Sequence, residues 1–268
     1  MDLGRVTDIA VPHTRDAYSW TEGSALLGGG TWLFSEPQPE VTRLIDLTGF
    51  NWPPLTLDET GLHIAATCRI ATLSRFTPPA GLPGCDIILP CCKALLGSFK
   101  IWNAATVGGN ICLALPAGPM TALCVALGGA ALIWTPDGGE RVMPIEQIVI
   151  GNHLCALAPG DLLRSITLPI AQLRRRAALR RISLTPLGRS GALLIATRDR
   201  NGAFSLTITA SVPRPIRIDT PDLPDAFELR ALIKTRVADT WFDDQHGAPD
   251  WRREMSLAFA EELRQELA

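Results

Sequence analysis

The residues best suited to chemistry in this sequence lie in two glycine-rich segments. The first is Leu26-Leu27-Gly28-Gly29-Gly30-Thr31, and the second is Ala104-Ala105-Thr106-Val107-Gly108-Gly109-Asn110. Glycine admits positive φ and lets a bulky anion approach the main chain. Successive N–H groups in such a turn form a concave nest for a phosphate, to which Thr hydroxyls and an Asn amide add donors. No Lys or Arg lies inside either segment, so a phosphate there would rest on main-chain dipoles. The first segment is not a Rossmann fingerprint, because Leu33 stands where G-x-G-x-x-G needs its last glycine. No Walker-type Gly-Lys-Ser/Thr follows it either. Either segment alone fits an ordinary tight turn. Two of them in one domain suit a dinucleotide with two phosphates.

Acid–base groups are scarce by comparison. His13, His63, His153 and His246 stand alone, without metal-ligand spacing. No G-x-S-x-G elbow is present, Tyr18 is the single tyrosine, and Asp161 precedes a strand as a turn residue would. The seven cysteines include no CxxC pair, and Cys85, Cys91 and Cys92 fit no iron–sulfur or zinc frame. No residue is therefore singled out as catalytic or as a metal ligand. Phosphate nests without an acid–base constellation point to chemistry carried by a bound cofactor.

The chain has 268 residues, 47% apolar and 19% charged, with net charge −2. That excludes a disordered chain and argues against a nucleic-acid binder, which needs a clustered basic face. The basic run Arg174-Arg175-Arg176 with Arg180-Arg181 reads as a solvated surface stretch. An odd cysteine count and the lack of an apolar leader segment predict reduced thiols and a cytoplasmic protein. The uncharged stretch from Ile101 to Pro136 is broken by Asn, Pro and Gly, so it reads as core rather than a membrane span.

The elements that must position the glycines come next. Short strands are expected at 25–27, 44–47, 62–66, 130–134 and 163–168, with a buried helix over 120–127. After an Arg-rich composition shift, strands at 192–197 and 204–210 flank an Asn201-Gly202 hairpin turn. Pro213, Pro215, Pro221 and Pro224 mark a loop. A last helix from about Asp250 to Leu267 should bury the stripe Trp251, Met255, Phe259, Leu263, Leu267. Arg252 and Arg253 at its start oppose the helix dipole, so tertiary packing must hold it. A domain boundary is expected near residue 172, giving domains 1–172 and 173–268.

Leu27-Gly28-Gly29-Gly30-Thr31-Trp32-Leu33 resembles the first flavin loop of the FAD-binding medium subunit of molybdenum hydroxylases, the xanthine dehydrogenase and carbon monoxide dehydrogenase family. Ile101-Trp102-Asn103-Ala104-Ala105-Thr106-Val107-Gly108-Gly109-Asn110-Ile111 is similar to its second loop, I-R-N-x-A-T-x-G-G-N. The likeness continues at Leu162–Pro169, at Arg214-Pro215-Ile216-Arg217, and from Asp243 through Gly247 to Trp251-Arg252-Arg253. The resemblance implies an α+β fold. A PCMH-type FAD-binding domain of two α/β subdomains would be followed by a smaller C-terminal α+β domain with a three-stranded sheet and helices. It implies FAD in this chain, held by Leu26, Leu27 and residues 28–33 on the diphosphate and adenosine side. Ala105, Thr106, Gly108, Gly109 and Asn110 would hold the diphosphate and ribityl region. Leu96, Leu113 and Leu163 would pack the flavin or adenine, and Arg181 (or Arg180) stands where the family often has a Lys near the cofactor.

The same resemblance implies an electron-transfer subunit of a hetero-oligomer. Its partners would be a small iron–sulfur subunit with 2Fe–2S clusters and a large molybdopterin subunit. Electrons would pass from the clusters through FAD to NAD, oxygen or another acceptor. Two other readings stay open: a free-standing flavin oxidoreductase on this fold, and an assembly subunit that no longer holds flavin. The second is motivated by departures from the family pattern. Pro119 replaces a usual Asp, Trp102 a usual Arg, and Trp32 a common polar residue.

Overall fold

The computed structural model describes residues 3–268. The chain opens with β1 (Asp8–Ala10), β2 (Ser24–Leu27) and β3 (Arg43–Asp46), which form a parallel sheet in the order β1-β3-β2. The following elements are β4 (Leu55–Leu57), β5 (Gly61–Ala65), α1 (Ile70–Leu73), α2 (Ile88–Ala94), α3 (Phe99–Ala104), α4 (Val107–Cys112) and α5 (Pro119–Ala126). Next come β6 (Ala130–Trp134), β7 (Glu140–Pro144), α6 (Ile145–Ile148), β8 (Val149–Gly151), β9 (Leu154–Cys155), β10 (Leu162–Pro169) and α7 (Ile170–Leu173). Strands β4-β5-β10-β6-β7 make an antiparallel sheet in that order, and β8 with β9 makes a short hairpin. The rest is β11 (Arg176–Ile182), β12 (Ala192–Arg198), β13 (Phe204–Thr209), β14 (Ile216–Thr220), α8 (Ala226–Val237) and α9 (Pro249–Glu266).

The α+β class holds, but the last sheet has four strands, β11-β12-β13-β14, rather than the three expected. Two strands fall where the sequence reads as something else. β11 lies in the Arg-rich run and β14 between the prolines. The arginines of β11 are not freely solvated. Arg180 pairs with Glu262 and Glu266 of α9 at 2.7 Å each, and Arg176 reaches the Glu266 carbonyl at 3.0 Å. Neighbouring Arg175 is buried and donates to the Ala203 carbonyl at 2.7 Å.

Helix α5 is buried at every position and packs against β12 and β13 on one side and α2 and α4 on the other. A helix that is apolar all round needs such enclosure. It accounts for the uncharged stretch without a membrane. No helix among the described residues is long and apolar enough to cross one. In α9 the most buried positions are Arg252, Ser256, Leu257, Ala260 and Leu263, so the buried face is rotated from the expected stripe. The cause is Arg252, which is 1% exposed. It donates to the Gly247 carbonyl at 2.7 Å and the Gly191 carbonyl at 2.8 Å, and it pairs with Asp244. A cation thus satisfied can occupy the interior.

Candidate functional site

The first glycine loop leaves the parallel sheet at the C-terminal end of β2, where ligands bind in open α/β sheets. Phe34 closes it by donating its N–H to the Gly30 carbonyl at 2.9 Å, and Gly30 adopts φ +69°. The amides of Gly28, Gly29, Gly30, Thr31, Trp32 and Leu33 have no hydrogen-bond partner among the described residues. These residues line one cleft, and a run of unpaired main-chain donors there is suited to an anion.

The second segment is built differently. Thr106 caps α4, its Oγ1 accepting the Gly109 N–H at 3.1 Å. Val107 N–H donates to the Cys68 carbonyl and Gly108 N–H to the Ala66 carbonyl, both at 2.9 Å. Asn110 N–H donates to the Thr106 carbonyl at 3.0 Å. All four amides are spent inside the protein, so the second segment is not the amide nest expected from its glycines. Its glycines serve close packing instead. A Cβ on Gly108 would lie 2.6 Å from the Ala66 Cβ.

The two segments nevertheless touch. A Cβ on Gly29 would sit 1.8 Å from the Ala104 carbonyl oxygen, and one on Gly28 would sit 3.0 Å from Thr106 Oγ1. Between and beyond them runs a cleft of about 630 Å3, within the range of small-molecule sites. Leu26, the 28–33 loop, Leu96, Ala105, Thr106, Gly109, Asn110 and Leu113 line it. Leu96 holds φ +55°, a costly conformation for a branched side chain, at the cleft wall. Trp32 packs against His153 with ring centroids 5.5 Å apart and planes tilted by 40°.

Four expected site residues do not line the cleft. Gly108 is buried against Ala66, as above. Leu163, in β10, is 3% exposed and belongs to the core. The Leu27 side chain lies behind the loop, 3.2 Å from where a Gly30 Cβ would stand. Arg181 is turned into its own loop, donating to Ser190 Oγ at 2.7 Å and to the Gly188 carbonyl. Burial lowers its pKa. Arg181 thereby anchors the loop that carries Arg189, an exposed cation that does line the cleft. Sequence reasoning missed Arg189 because it stands alone after Pro186 and Gly188 and belongs to no motif.

The wall also explains two departures. Pro119, on the cleft wall, is the first residue of α5, where Pro costs no hydrogen bond. Asn110 Oδ1 accepts the Met120 N–H at 3.0 Å, so its carbonyl caps α5 and only its NH2 is left for a ligand. Trp102 packs on the core with its Nε1 buried and unpartnered. Among the described residues, only two ionisable side chains line the cleft, Cys112 and Arg189; no carboxylate, imidazole, ammonium or phenol does. A smaller cavity of about 360 Å3 adjoins, sharing Leu115, Ala117 and Arg189 with the cleft.

The fold matches solved structures along its whole length. Reconstituted CO dehydrogenase from Oligotropha carboxidovorans gives a TM-score of 0.83 at 21% identity, covering 100% of both chains. Quinoline 2-oxidoreductase from Pseudomonas putida 86 gives 0.79 at 16%, covering 100% of this chain and 98% of that one. Curated relatives match in part. Rice xanthine dehydrogenase is 31% identical over 121 residues, which are 43% of this chain and only 9% of that protein. Caffeine dehydrogenase subunit beta from Pseudomonas sp. strain CBB1 is 35% identical over 72 residues, 27% of this chain and 24% of that subunit. The model of the "FAD binding domain in molybdopterin dehydrogenase" spans residues 14–171, both glycine segments included. With more than half of its length matched, the chain belongs to this family of FAD-binding domains.

Proposed function

We propose that this chain is the FAD-binding electron-transfer subunit of a molybdenum-containing hydroxylase or dehydrogenase. It would take electrons from an iron–sulfur partner subunit and pass them through FAD to a terminal acceptor such as NAD or oxygen. One observation carries the reading: among the described residues, a loop of unpaired amides opens on a cleft whose wall holds no acid–base pair. FAD, when bound, supplies the redox chemistry, and such a site needs binding and orientation from the protein rather than a catalytic base.

The chain's own residues divide that work. The amides of Gly28–Leu33 hold the diphosphate without a salt bridge. The Thr31 and Thr106 hydroxyls and the Asn110 NH2 offer further donors on the same wall. Leu26, Leu96 and Leu113 present apolar surface to the rings. Arg189 adds a cation at the mouth. We also infer a division near residue 172, with the FAD-binding unit before it. α5 would then be the shared element between that unit and the last sheet.

The test is reconstitution followed by co-purification. The purified chain with FAD should show the absorbance bands of oxidised flavin, and the native complex should contain molybdenum and iron. A flavin-free chain within an intact complex would support an assembly role instead. Turnover of an organic substrate by the isolated flavoprotein would support a free-standing oxidoreductase.

A further inference from the structure

The cavity of about 360 Å3 beside the cleft has a wall largely its own. Three segments meet there. The turn between β8 and β9 brings Asn152 and His153, the loop between β11 and β12 brings Arg189, and the loop before α9 brings Gln245 and His246. Main-chain bonds fix all of this in place. His153 N–H donates to the Ala114 carbonyl at 2.9 Å, Ala210 N–H to the Pro116 carbonyl at 2.8 Å, and Phe242 N–H to the Ser211 carbonyl at 2.9 Å. His153 and Ala210, both on the wall, hold positive φ of +56° and +66°, a conformation that costs energy and is common where a backbone is set for a ligand. Asp244 is the single carboxylate on the wall among the described residues, and the buried Arg252 pairs with it. Arg189 pairs with no carboxylate among the described residues, so the wall carries one unbalanced guanidinium. Apolar surface comes from Leu115, Pro116 and Phe242. At about 30 Å3 per water, the cavity has room for about a dozen waters, hence for a ligand of about a dozen non-hydrogen atoms.

We propose that this cavity is a second ligand site, for a small planar anion: an oxo-substituted ring bearing one carboxylate. Arg189 takes the carboxylate. The NH2 groups of Asn152 and Gln245 and the ring N–H groups of His153 and His246 donate to the ring oxygens. Leu115, Pro116 and Phe242 cover the ring. The site is a neighbour of the cleft and not its continuation. Trp32 on the cleft side packs against His153 on the cavity side, and Leu115, Ala117 and Arg189 belong to both walls. Arg189 is therefore one cation shared by two spaces that each suit an anion. Filling one space weakens binding in the other, and by linkage the weakening is the same in both directions.

The test is calorimetric titration of the full chain, first without FAD, with orotate, uracil and benzoate as probes. Orotate carries both the carboxylate and the ring oxygens, and should bind with a Kd of about 1 mM or tighter. Uracil lacks the carboxylate and benzoate the ring oxygens, so each should bind at least about fivefold more weakly at low salt. Arg189→Ala should remove the advantage of orotate over uracil. Asn152→Ala combined with Gln245→Ala should remove its advantage over benzoate. All three side chains are exposed, so the variants should melt as the wild type does. Saturating FAD should weaken orotate to a plateau of about fivefold, and saturating orotate should weaken FAD by the same factor. No orotate binding, equal binding of the three probes, or an advantage over uracil that survives in Arg189→Ala would overturn the site. A loss of orotate that keeps growing with added FAD would put FAD itself in the cavity and overturn a separate site. A chain that binds orotate but no FAD would refute the FAD reading and leave this site standing.

Discussion

Gly29→Ala is the sharpest perturbation of the cleft. The added Cβ would stand 1.8 Å from the Ala104 carbonyl oxygen and 2.7 Å from its carbon. Both are backbone atoms, so no rotamer relieves the clash. The first loop must withdraw from the second segment by more than an ångström. Overpacking of this kind costs about 1–3 kcal/mol. The same displacement moves the unpaired amides of the loop. Losing one charge-assisted hydrogen bond to a phosphate costs about 1.5–3 kcal/mol, roughly a 10- to 150-fold rise in the FAD dissociation constant. Gly109→Ala is the control, because its Cβ meets only Thr106 Oγ1, at 2.9 Å. That contact touches the α4 cap rather than the free amides, so Gly109→Ala should weaken FAD less than Gly29→Ala does. Thermal melts without FAD and fluorescence titrations with it separate the two effects. If Gly29→Ala binds FAD as tightly as wild type, the diphosphate does not rest on this loop and the argument fails.

Other expectations follow from named contacts. Arg252→Leu strands the Asp244 carboxylate and the Gly191 and Gly247 carbonyls. It should cost about 3–5 kcal/mol in urea unfolding. Arg189→Ala removes an exposed cation from the cleft mouth, so FAD should bind about fivefold more weakly at low salt, with no difference at high salt. Tyr18 donates to the Gly160 carbonyl at 2.7 Å, and burial with the nearby Asp161 charge raises its pKa to about 12. The folded state therefore favours the neutral phenol. This stabilisation is complete below the unfolded pKa and is lost as pH rises towards 12. Tyr18→Phe should lower the melting temperature at neutral pH, yet lose less stability than wild type between about pH 10 and 12.

What could be read from the sequence was local. The strand at β2 stops where the glycines begin, α5 and β6 fall where apolar runs are bounded by Gly and Pro, and the Asn201-Gly202 turn joins β12 to β13. What could not be read depended on partners far along the chain. β11 looks like a basic surface run until Glu262 and Glu266 of α9 are placed opposite Arg180. Helix α8 has a legible start, the capping box of Asp225 and Glu228. Its apolar stripe of Leu229, Ile233 and Val237 is too narrow to stand out among Arg and Lys. The phase of α9 was hidden because a buried arginine breaks the rule that the apolar stripe marks the inner face.

The cofactor segments show the same limit at finer grain. A glycine pair states only that something comes close to the backbone. At Gly108 that neighbour is Ala66, and at Gly29 it is Ala104, so neither glycine by itself identifies a ligand. What points to a ligand is the contrast in hydrogen bonding between the two segments. Buried or cleft-facing amides are normally paired, and those of Val107–Asn110 are, whereas those of Gly28–Leu33 are not. The second segment then acts as the stop against which the first is set. Thr106 lies between Gly28 and Gly109, and Asn110 fixes the start of α5 through Met120. A family motif of two glycine loops is on this geometry one donor surface and one rigid backing. Trp102 packs on the core and Pro119 lines the cleft as the first residue of α5, so neither departure removes an amide donor from the first loop.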